Sequence, residues 1–311
     1  MKKPLTALAT ITLLFSATAY AESKTYSVDS FSKIDVDGAM NVIHKTGPET
    51  SVVVETSSGD FSDAIVETNG DELRISRESL DAERSWFSWG GRSVSVSEDG
   101  KVVKVNGKKR PYYTVRVTSP QLGAIEVSQS SRFESQTINA GEFEARASSS
   151  ARVTLAGTAG DADLSASSSG ELNAGNLKAE TLNASASSSG ELKATVTGTG
   201  ETRANASSSG EVTLKSLKAA EFIVGASSSA SVELSGACGR ISVNASSGAE
   251  VDADDLRCTS ANANASSGAD VELYATDSAT AKASSGADIS FSGKPVQQEA
   301  SKSSGGSISF N

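Results

Sequence analysis

A phrase of seven residues that recurs at a near-constant interval constrains this 311-residue chain more than any other feature. Ala-Ser-Ser-Ser-Gly-Glu-Leu occurs twice, at 166–172 and at 186–192. Variants of it begin at Ala147, Ala206, Ala226, Ala245, Ala265 and Ala283. Successive leading alanines lie 18 to 20 residues apart. A fixed period near 20 residues is typical of a solenoid, in which each coil stacks on a copy of itself.

The pattern inside each coil predicts short strands that each bury one face. Apolar residues stand two and four positions before the leading alanine and six and eight positions after it, with polar residues between them. This period of two indicates β-strands, and the abundance of Ser, Gly, Thr and Asn disfavours helix. We therefore predict an all-β fold, a single-stranded right-handed parallel β-helix with coils of about 20 residues. A left-handed β-helix built on hexapeptides is the alternative that this period disfavours.

The first 21 residues have the pattern of an export signal. Lys2 and Lys3 precede a short apolar run from Leu5 to Ala17, and Ala19-Tyr20-Ala21 fits a small-x-small cleavage site. The run is too short to span a membrane, so no transmembrane anchor is expected. We predict an exported protein of the periplasm or cell surface of a Gram-negative bacterium. Loss of the two lysines changes the formal charge from −10 to −12, which disfavours nucleic acid as a partner.

The remaining chain divides into two predicted regions. Residues 22–123 read as an N-terminal β region with an inserted loop and hairpin at 81–110, and residues 124–311 form the Ser/Gly/Ala-rich repeats. The insertion holds both tryptophans, within a candidate contact loop made of Arg84, Trp86, Phe87, Trp89 and Arg92. Binding energy usually concentrates in aromatic and arginine side chains. The loop either covers an apolar patch or the N-terminal end of the coil, or it contacts a partner or a second copy.

Two cysteines predict a disulfide between adjacent coils. Cys238 and Cys258 each lie seven residues before the leading alanine of their coil, so they share one column. Stacking places their Cα atoms roughly 5 Å apart, within the range that a disulfide spans. An exported location is oxidising. Two free buried thiols in contact remain the alternative.

A column of acidic residues is a weak candidate for metal binding. It stands five residues after the leading alanines and consists of Glu171, Glu191, Glu211, Glu250, Asp270 and Asp288. Stacked carboxylates about 5 Å apart repel one another, so either water and salt screen them or cations lie between them. A solvated edge that keeps the solenoid soluble is the expected arrangement, with no specific metal and no cofactor.

Catalytic signals are weak. His44 is the only histidine and stands on a predicted strand in phase with Val42, without partners that the sequence can identify. A polysaccharide-active β-helix enzyme would need grouped acids and aromatic sugar platforms, yet residues 143–270 contain two phenylalanines and no tyrosine or tryptophan. We therefore predict a protein that is not an enzyme and has no catalytic residues.

The opening of the chain resembles a known family. Phe31 to Val42 reads Phe-x-x-Ile-x-Val-x-Gly-x-x-Asn-Val, and Gly47 and Val52-Val53-Val54 follow. This pattern resembles the head GIN domain of putative autotransporter adhesins, a domain of unknown function. The Ser-Ser-Gly-x-[Leu/Val] coils after Pro120-Gln-Leu122 resemble the body of the same family, so the match covers most of residues 28–292. The resemblance implies an exported β-helix with adhesion as a suggested role, and it carries over no catalytic residue.

Together these features predict a non-enzymatic β-helix that presents a binding surface, adhesin-like, at the cell envelope. The expected partner is an envelope or surface ligand, a glycan or a protein, and self-association is possible. A structural envelope protein without a specific ligand is one alternative. A polysaccharide-active β-helix enzyme is the other.

Overall fold

The computed structural model describes residues 22–78, 94–97 and 102–311, except for the side chains of 219 and 220. Every element whose bounds it describes is a β-strand. The N-terminal strands are β1 Glu22–Tyr26, β2 Lys33–Val36, β3 Asn41–Thr46, β4 Ser51–Thr56, β5 Ala64–Asn69 and β6 Glu72–Arg77. The insertion contributes β7 Val94–Val96, β8 Val103–Val105 and β9 Lys108–Arg110. Two strands lead into the repeats, β10 Thr114–Ser119 and β11 Ala124–Val127.

The repeats form longer strands, several of which bend around most of a coil. They are β12 Arg132–Ala147, β13 Arg152–Ser167, β14 Glu171–Ser187, β15 Glu191–Val196, β16 Glu201–Ser207, β17 Glu211–Ser227, β18 Ser231–Ser246, β19 Glu250–Ser266 and β20 Asp270–Ala283. Three short strands end the chain, β21 Asp288–Ser292, β22 Gln297–Lys302 and β23 Ser307–Phe310.

The predicted parallel β-helix with coils near 20 residues is confirmed. Each repeat strand pairs in parallel with its equivalent in the next coil, and leading alanines pair with leading alanines, as Ala166 does with Ala186. The result is a β-solenoid of about 9 turns. N-terminal strands belong to the same stack, because β2 pairs in parallel with both β6 and β11. The periodic sequence dictates this register, since any slip would expose apolar side chains.

The interior is narrow and filled mostly by small and branched side chains. The inward columns hold alanine, valine and leucine, and the leading alanines from Ala147 to Ala283 are at most 4% exposed. Larger side chains are few among the fully buried residues, for example Phe133, Phe222 and Phe291. Because each coil is thin, burial is shared between neighbouring coils, and a single coil has little core of its own.

The coil corners after the leading alanines are tight turns with a left-handed backbone. In the coil from Ala186, Ser188 and Ser189 have φ of 51° and 62°, and Gly190 N donates to Ser187 O at 2.9 Å. Positive φ at both central residues is the pattern of a type I′ turn. Ser189 N also donates to Ser208 O of the next coil at 3.1 Å. The turns therefore stack into a backbone ladder that presents pairs of exposed serines.

Antiparallel strands close the N-terminal end. β5 pairs antiparallel with β6, while β4 lies between β1 and β10 and is antiparallel to both. These strands cover edges that a parallel coil would leave unpaired, which is a usual way to prevent edge-to-edge aggregation.

The insertion forms a small sheet of its own. β7, β8 and β9 pair antiparallel in chain order, and the apolar side of the sheet packs Val103 and Val105 against Ala39. Ala39 is buried and has a φ of 59°, next to Gly38 at 80°, so this turn corresponds to the serine corners of later coils. The small sheet therefore sits at the N-terminal end of the turn ladder.

Polar residues protect the C-terminal end of the solenoid against pairing with another sheet. β22 pairs with β20 and places Gln298, Ala300 and Lys302 below the inward-facing alanines of that strand. All three are exposed, and the pairing described for β22 is with β20 alone. Lysine and glutamine at inward positions oppose pairing with another sheet. Phe310 stacks on Phe291 at 5.1 Å between ring centroids and closes the neighbouring column.

Candidate functional site

The acidic column lies on one outward row, as its spacing predicts. Strand pairing runs in register from Glu171 through Glu191 and Glu211, across Ser231, to Glu250, Asp270 and Asp288. Its first half contains partners of opposite charge: Arg152 Nε lies 3.2 Å from Glu171, and Lys193 Nζ lies 2.8 Å from Glu191. The Glu191 carboxylate raises the pKa of Lys193. The first half of the column is therefore already partly neutralised.

The second half of the column is denser in acid than the sequence analysis recognised. Asp252, Asp254 and Glu272 each offer a carboxylate oxygen, and these atoms lie within 4.8 Å of one another. Desolvation and then the charge of Asp252 raise the pKa of the Glu272 carboxyl. The missed signal was the run of acids at every second residue after Glu250, which a strand presents on one side.

The two cysteines face each other across one ladder. Cys238 pairs with Cys258 in the register of β18 and β19, and their Cα atoms are 4.3 Å apart. The Sγ atoms are joined as a disulfide. Both residues are buried, so this bond would tie two coils together from inside the stack.

The predicted contact loop lies outside the described residues, so Arg84, Trp86, Phe87, Trp89 and Arg92 have no structural account. The strand that precedes the loop is described. Arg77 is fully buried, with its Nη1 bonded to Asp63 Oδ2 at 2.9 Å and its Nη2 to Pro111 O at 2.8 Å. It therefore links the strand before the insertion to the residue that follows it.

His44 is a buried structural residue of the core. Its Nδ1 lies 2.9 Å from Ser135 Oγ, and its Nε2 lies 3.0 Å from Ser119 Oγ. Since Ser119 Oγ donates its proton to Gln121 O at 2.9 Å, it accepts from the imidazole, which places the proton on Nε2. Burial lowers the pKa of His44 to about 4. The neutral ring is satisfied on both nitrogens and has no access to a substrate.

A polar groove runs along the axis over the column of leading alanines. One stretch has a volume of about 370 Å³ and the next about 450 Å³, and Asn244 and Ser246 line both, so they are continuous. The walls are amides and hydroxyls from the residues on either side of each alanine, among them Asn205, Asn264, Ser207, Ser227 and Ser266. The side chains of the leading alanines point inward, so along this line only backbone lies between the two outward rows.

The groove is long, regular and almost uncharged. It extends from the coil of Ser185 to that of Ser303, which at the strand spacing is roughly 30 Å. Asn264 Nδ2 donates to Asn244 Oδ1 at 3.2 Å, which leaves the remaining amide hydrogens and lone pairs free to face a ligand. The sequence analysis missed the groove, because its depth depends on how the coil bends.

A wider cleft of about 850 Å³ lies nearer the N-terminus, mostly over the rows three to five residues before the leading alanines. Its charged side chains form ion pairs and hydrogen bonds with one another. Arg146 pairs with Glu144 and Arg203 with Glu201, and Asn183 Nδ2 donates to Asp163 Oδ2 at 3.3 Å. The pairing of these groups leaves few charges for acid–base chemistry or for an ionic ligand.

Comparison with known proteins gives one family. The family described as putative auto-transporter adhesin, head GIN domain, matches residues 30–215 and 198–295. No curated protein matches the sequence significantly. The described part of the chain contains no helix with the length and apolarity of a membrane span.

Several solved structures are similar to this chain over most of its length, at low sequence identity and with TM-scores below 0.5. A putative adhesin from Parabacteroides merdae is 14% identical, with a TM-score of 0.48, over 94% of this chain and 97% of that one. A putative lipid binding protein from Parabacteroides distasonis is 16% identical, with a TM-score of 0.47, over 94% and 98%. A putative adhesin from Bacteroides fragilis is 14% identical, with a TM-score of 0.30, over 94% and 97%. None of these likenesses assigns a role to a residue.

Proposed function

The chain belongs to the head GIN domain family of putative auto-transporter adhesins, and from this premise we propose that it is an exported, non-enzymatic binding protein of adhesin type. The family and the neighbouring structures suggest a surface ligand and an exported or surface location in Gram-negative bacteria. The leader pattern at 1–21 supports export. The finer assignment, to a ligand and to a face of the solenoid, is argued from the polar groove.

The polar groove is the observation that carries this function. It offers one serine hydroxyl per coil at a spacing of roughly 4.8 Å, beside a second row that holds the amides of Asn205, Asn244 and Asn264 together with Gly225 and Lys282. Asn and Ser can both donate and accept hydrogen bonds. A long extended ligand rich in hydroxyl groups matches both the shape and the chemistry. We assign the groove to a linear glycan of the cell envelope.

The charged cleft supports binding without catalysis. A glycoside hydrolase needs two carboxyl groups with different roles that face one scissile bond. In the cleft Glu144 and Glu201 are each held by an arginine, and Asp161 and Asp163 accept hydrogen bonds from the next coil. These partners occupy four of the five carboxylates that line the cleft, Glu142 being the fifth, and this favours a binding role over the alternative of a polysaccharide-active enzyme.

The test is binding of the mature protein to a printed array of O-antigen, capsule and peptidoglycan fragments. Asn244→Asp with Asn264→Asp places two charges in the groove with little change of shape, and should weaken binding about tenfold or more. The matched control is Asn173→Asp with Asn176→Asp, which adds the same charge at exposed positions outside the groove. Equal losses in the two pairs, or no binding to any glycan, would refute the assignment.

A second measurement tests location and the enzyme alternative. Protease treatment of intact cells should cleave an adhesin displayed on the surface and leave a periplasmic protein whole. Incubation with the array glycans should release no reducing ends or unsaturated products. Release of such products, lost on substitution of Asp161 or Asp163, would favour the enzyme.

A further inference from the structure

The outer side of the small sheet carries a concentration of unpaired positive charge. Lys104 and Lys109, here called the basic face, are exposed on β8 and β9. Lys104 lies directly opposite Lys109 in the antiparallel register. Residues 102–110 contain no acidic residue, and Glu98 and Asp99 of the connecting loop lie outside the described residues. No ion pair in the described part of the chain involves Lys104 or Lys109.

This arrangement is costly for the isolated protein. Like charges directly opposite on neighbouring strands destabilise a sheet. The protein as a whole has a net charge of −10, so counter-charges are plentiful elsewhere in the chain. Within the described residues no such counter-charge pairs with Lys104 or Lys109, which favours a surface that meets negative charge from outside.

A matching surface of opposite sign lies on the same chain. The acidic face consists of Glu250, Asp252, Asp254, Asp270, Glu272 and Asp288, all outward on β19 to β21. None of its members takes part in an ion pair within the described residues. The nearby Arg257 is instead paired with Asp255 and lies over the Tyr274 ring. The acidic face thus carries like-charge repulsion that a cationic surface would relieve.

The two faces cannot meet within one molecule. The small sheet packs on Ala39, in the first turn of the corner ladder. The acidic face begins at the turn that contains Ser247, seven coils further on. At the strand spacing this separates them by roughly 35 Å, several times the screening length of about 8 Å at physiological ionic strength.

We propose that the basic face docks on the acidic face of a second copy of this chain, so that the solenoids associate head to tail. Such a contact is heterologous, because one copy contributes its basic face and the other its acidic face. Each copy still has one free face, so further copies can add to form a line of molecules. The polar groove lies on different rows from the acidic face and stays open in this arrangement. The inference is independent of the glycan assignment, because an assembly of this kind needs no ligand.

Sedimentation velocity of the mature protein over a concentration series tests the proposal. Association should be detected at low salt and should weaken as salt is raised, because charge contacts between exposed groups are screened. Lys104→Glu with Lys109→Glu should weaken it about tenfold or more. Lys178→Glu with Lys215→Glu changes the net charge equally at exposed positions away from both faces, and should leave the association unchanged.

A charge exchange gives the decisive comparison. Asp252→Lys with Glu272→Lys should also abolish association, and the variant with all four substitutions should associate again, because both faces are reversed together. Thermal melting shows whether each variant is folded. If Lys104→Glu with Lys109→Glu unfolds the sheet, Lys104→Ser with Lys109→Ser is used in its place. A parent that stays monomeric at every concentration and salt would overturn the proposal. Failure of the fourfold variant to associate would also overturn it. The same holds if the lysines bind phosphatidylglycerol vesicles while the parent protein remains monomeric.

Discussion

Arg77 Nη1 donates a 2.9 Å hydrogen bond to Asp63 Oδ2 with both side chains withdrawn from solvent. The same guanidinium donates to the backbone carbonyls of Gly38 and Pro111, and it lies 4.8 Å from the centre of the Tyr113 ring. One buried cation thereby joins the first corner turn, the strand before the insertion and the residue after it. A buried ion pair adds little net stability by itself, but the loss of one partner leaves an uncompensated charge.

Arg77→Met should therefore lower the free energy of unfolding by about 3–5 kcal/mol. The matched control is Arg116→Met, which removes an arginine bonded to Glu55 at the same 2.9 Å but 55% exposed. The control should cost less than about 1 kcal/mol. Urea unfolding of both variants measures the difference, and similar costs in the two would show that Arg77 is not a clamp.

His44 should make the protein less stable in mild acid. Its pKa falls from 6.5 to about 4 in the folded state, so between these values the unfolded chain binds more protons than the folded chain. Stability is then lost as the pH falls from 6.5 to about 4, by on the order of 3 kcal/mol from this residue. Melting temperatures across this range measure the slope, which His44→Gln should flatten.

Asp35 opposes this trend and serves as the internal control. Burial, and next the charge of Asp37, raise the pKa of Asp35 from 3.8 to about 6. The folded chain therefore binds the proton more tightly, and Asp35 costs stability as the pH rises through about 6. Asp35→Asn should raise the melting temperature at pH 7, and the gain should vanish below about pH 4. It should also steepen the acid slope due to His44, and a shallower slope would contradict both assignments.

The Cys238–Cys258 disulfide should form in the exported protein. It closes a loop of 20 residues, for which cross-linking stabilises by about 3 kcal/mol. Thiol titration of denatured, unreduced protein should find no free thiol, and reduction should lower the melting temperature. A finding of two free thiols per chain would refute the bond. Cys238→Ala with Cys258→Ala should melt like the reduced protein.

The corner turns give a prediction in the opposite direction, an increase in stability. Serine in the left-handed region is disfavoured, whereas Asn and Gly tolerate it. Ser188→Asn with Ser189→Gly should stabilise by about 0.5–1 kcal/mol. The control is Ser267→Asn, where Gly268 already supplies the second position, and it should gain less. A loss of stability in the double variant would mean that the exposed hydroxyls contribute to the fold.

Periodicity explains how much of this architecture the sequence predicts. The column shared by Cys238 and Cys258, and the row from Glu171 to Asp288, both follow from the interval between leading alanines, because every coil repeats the same register. The backbone conformation within a coil is harder to predict from the sequence. Ser-Ser pairs have no preference for positive φ, so the sequence indicates a corner without indicating its left-handed turn.

The non-periodic parts were harder to predict for a different reason. Arg77 contacts Asp63, Gly38 and Pro111, which are spread over more than 70 residues without a repeat, so no spacing reveals a buried cation. The basic face could not be predicted from the sequence for a similar reason. No spacing in the sequence relates Lys104 to Lys109, and only the pairing of β8 with β9 places them opposite each other.

The acidic column should respond to ionic strength without selectivity for calcium. Its first half is partly neutralised by Arg152 and Lys193, and the cluster of Asp252, Asp254 and Glu272 is largely open to water. Screening should therefore raise the melting temperature equally in sodium chloride and in calcium chloride of matched ionic strength. A much larger shift with millimolar calcium would contradict this expectation. Glu191→Gln with Glu211→Gln, and separately Asp252→Asn with Glu272→Gln, would then show which half of the column binds the ion.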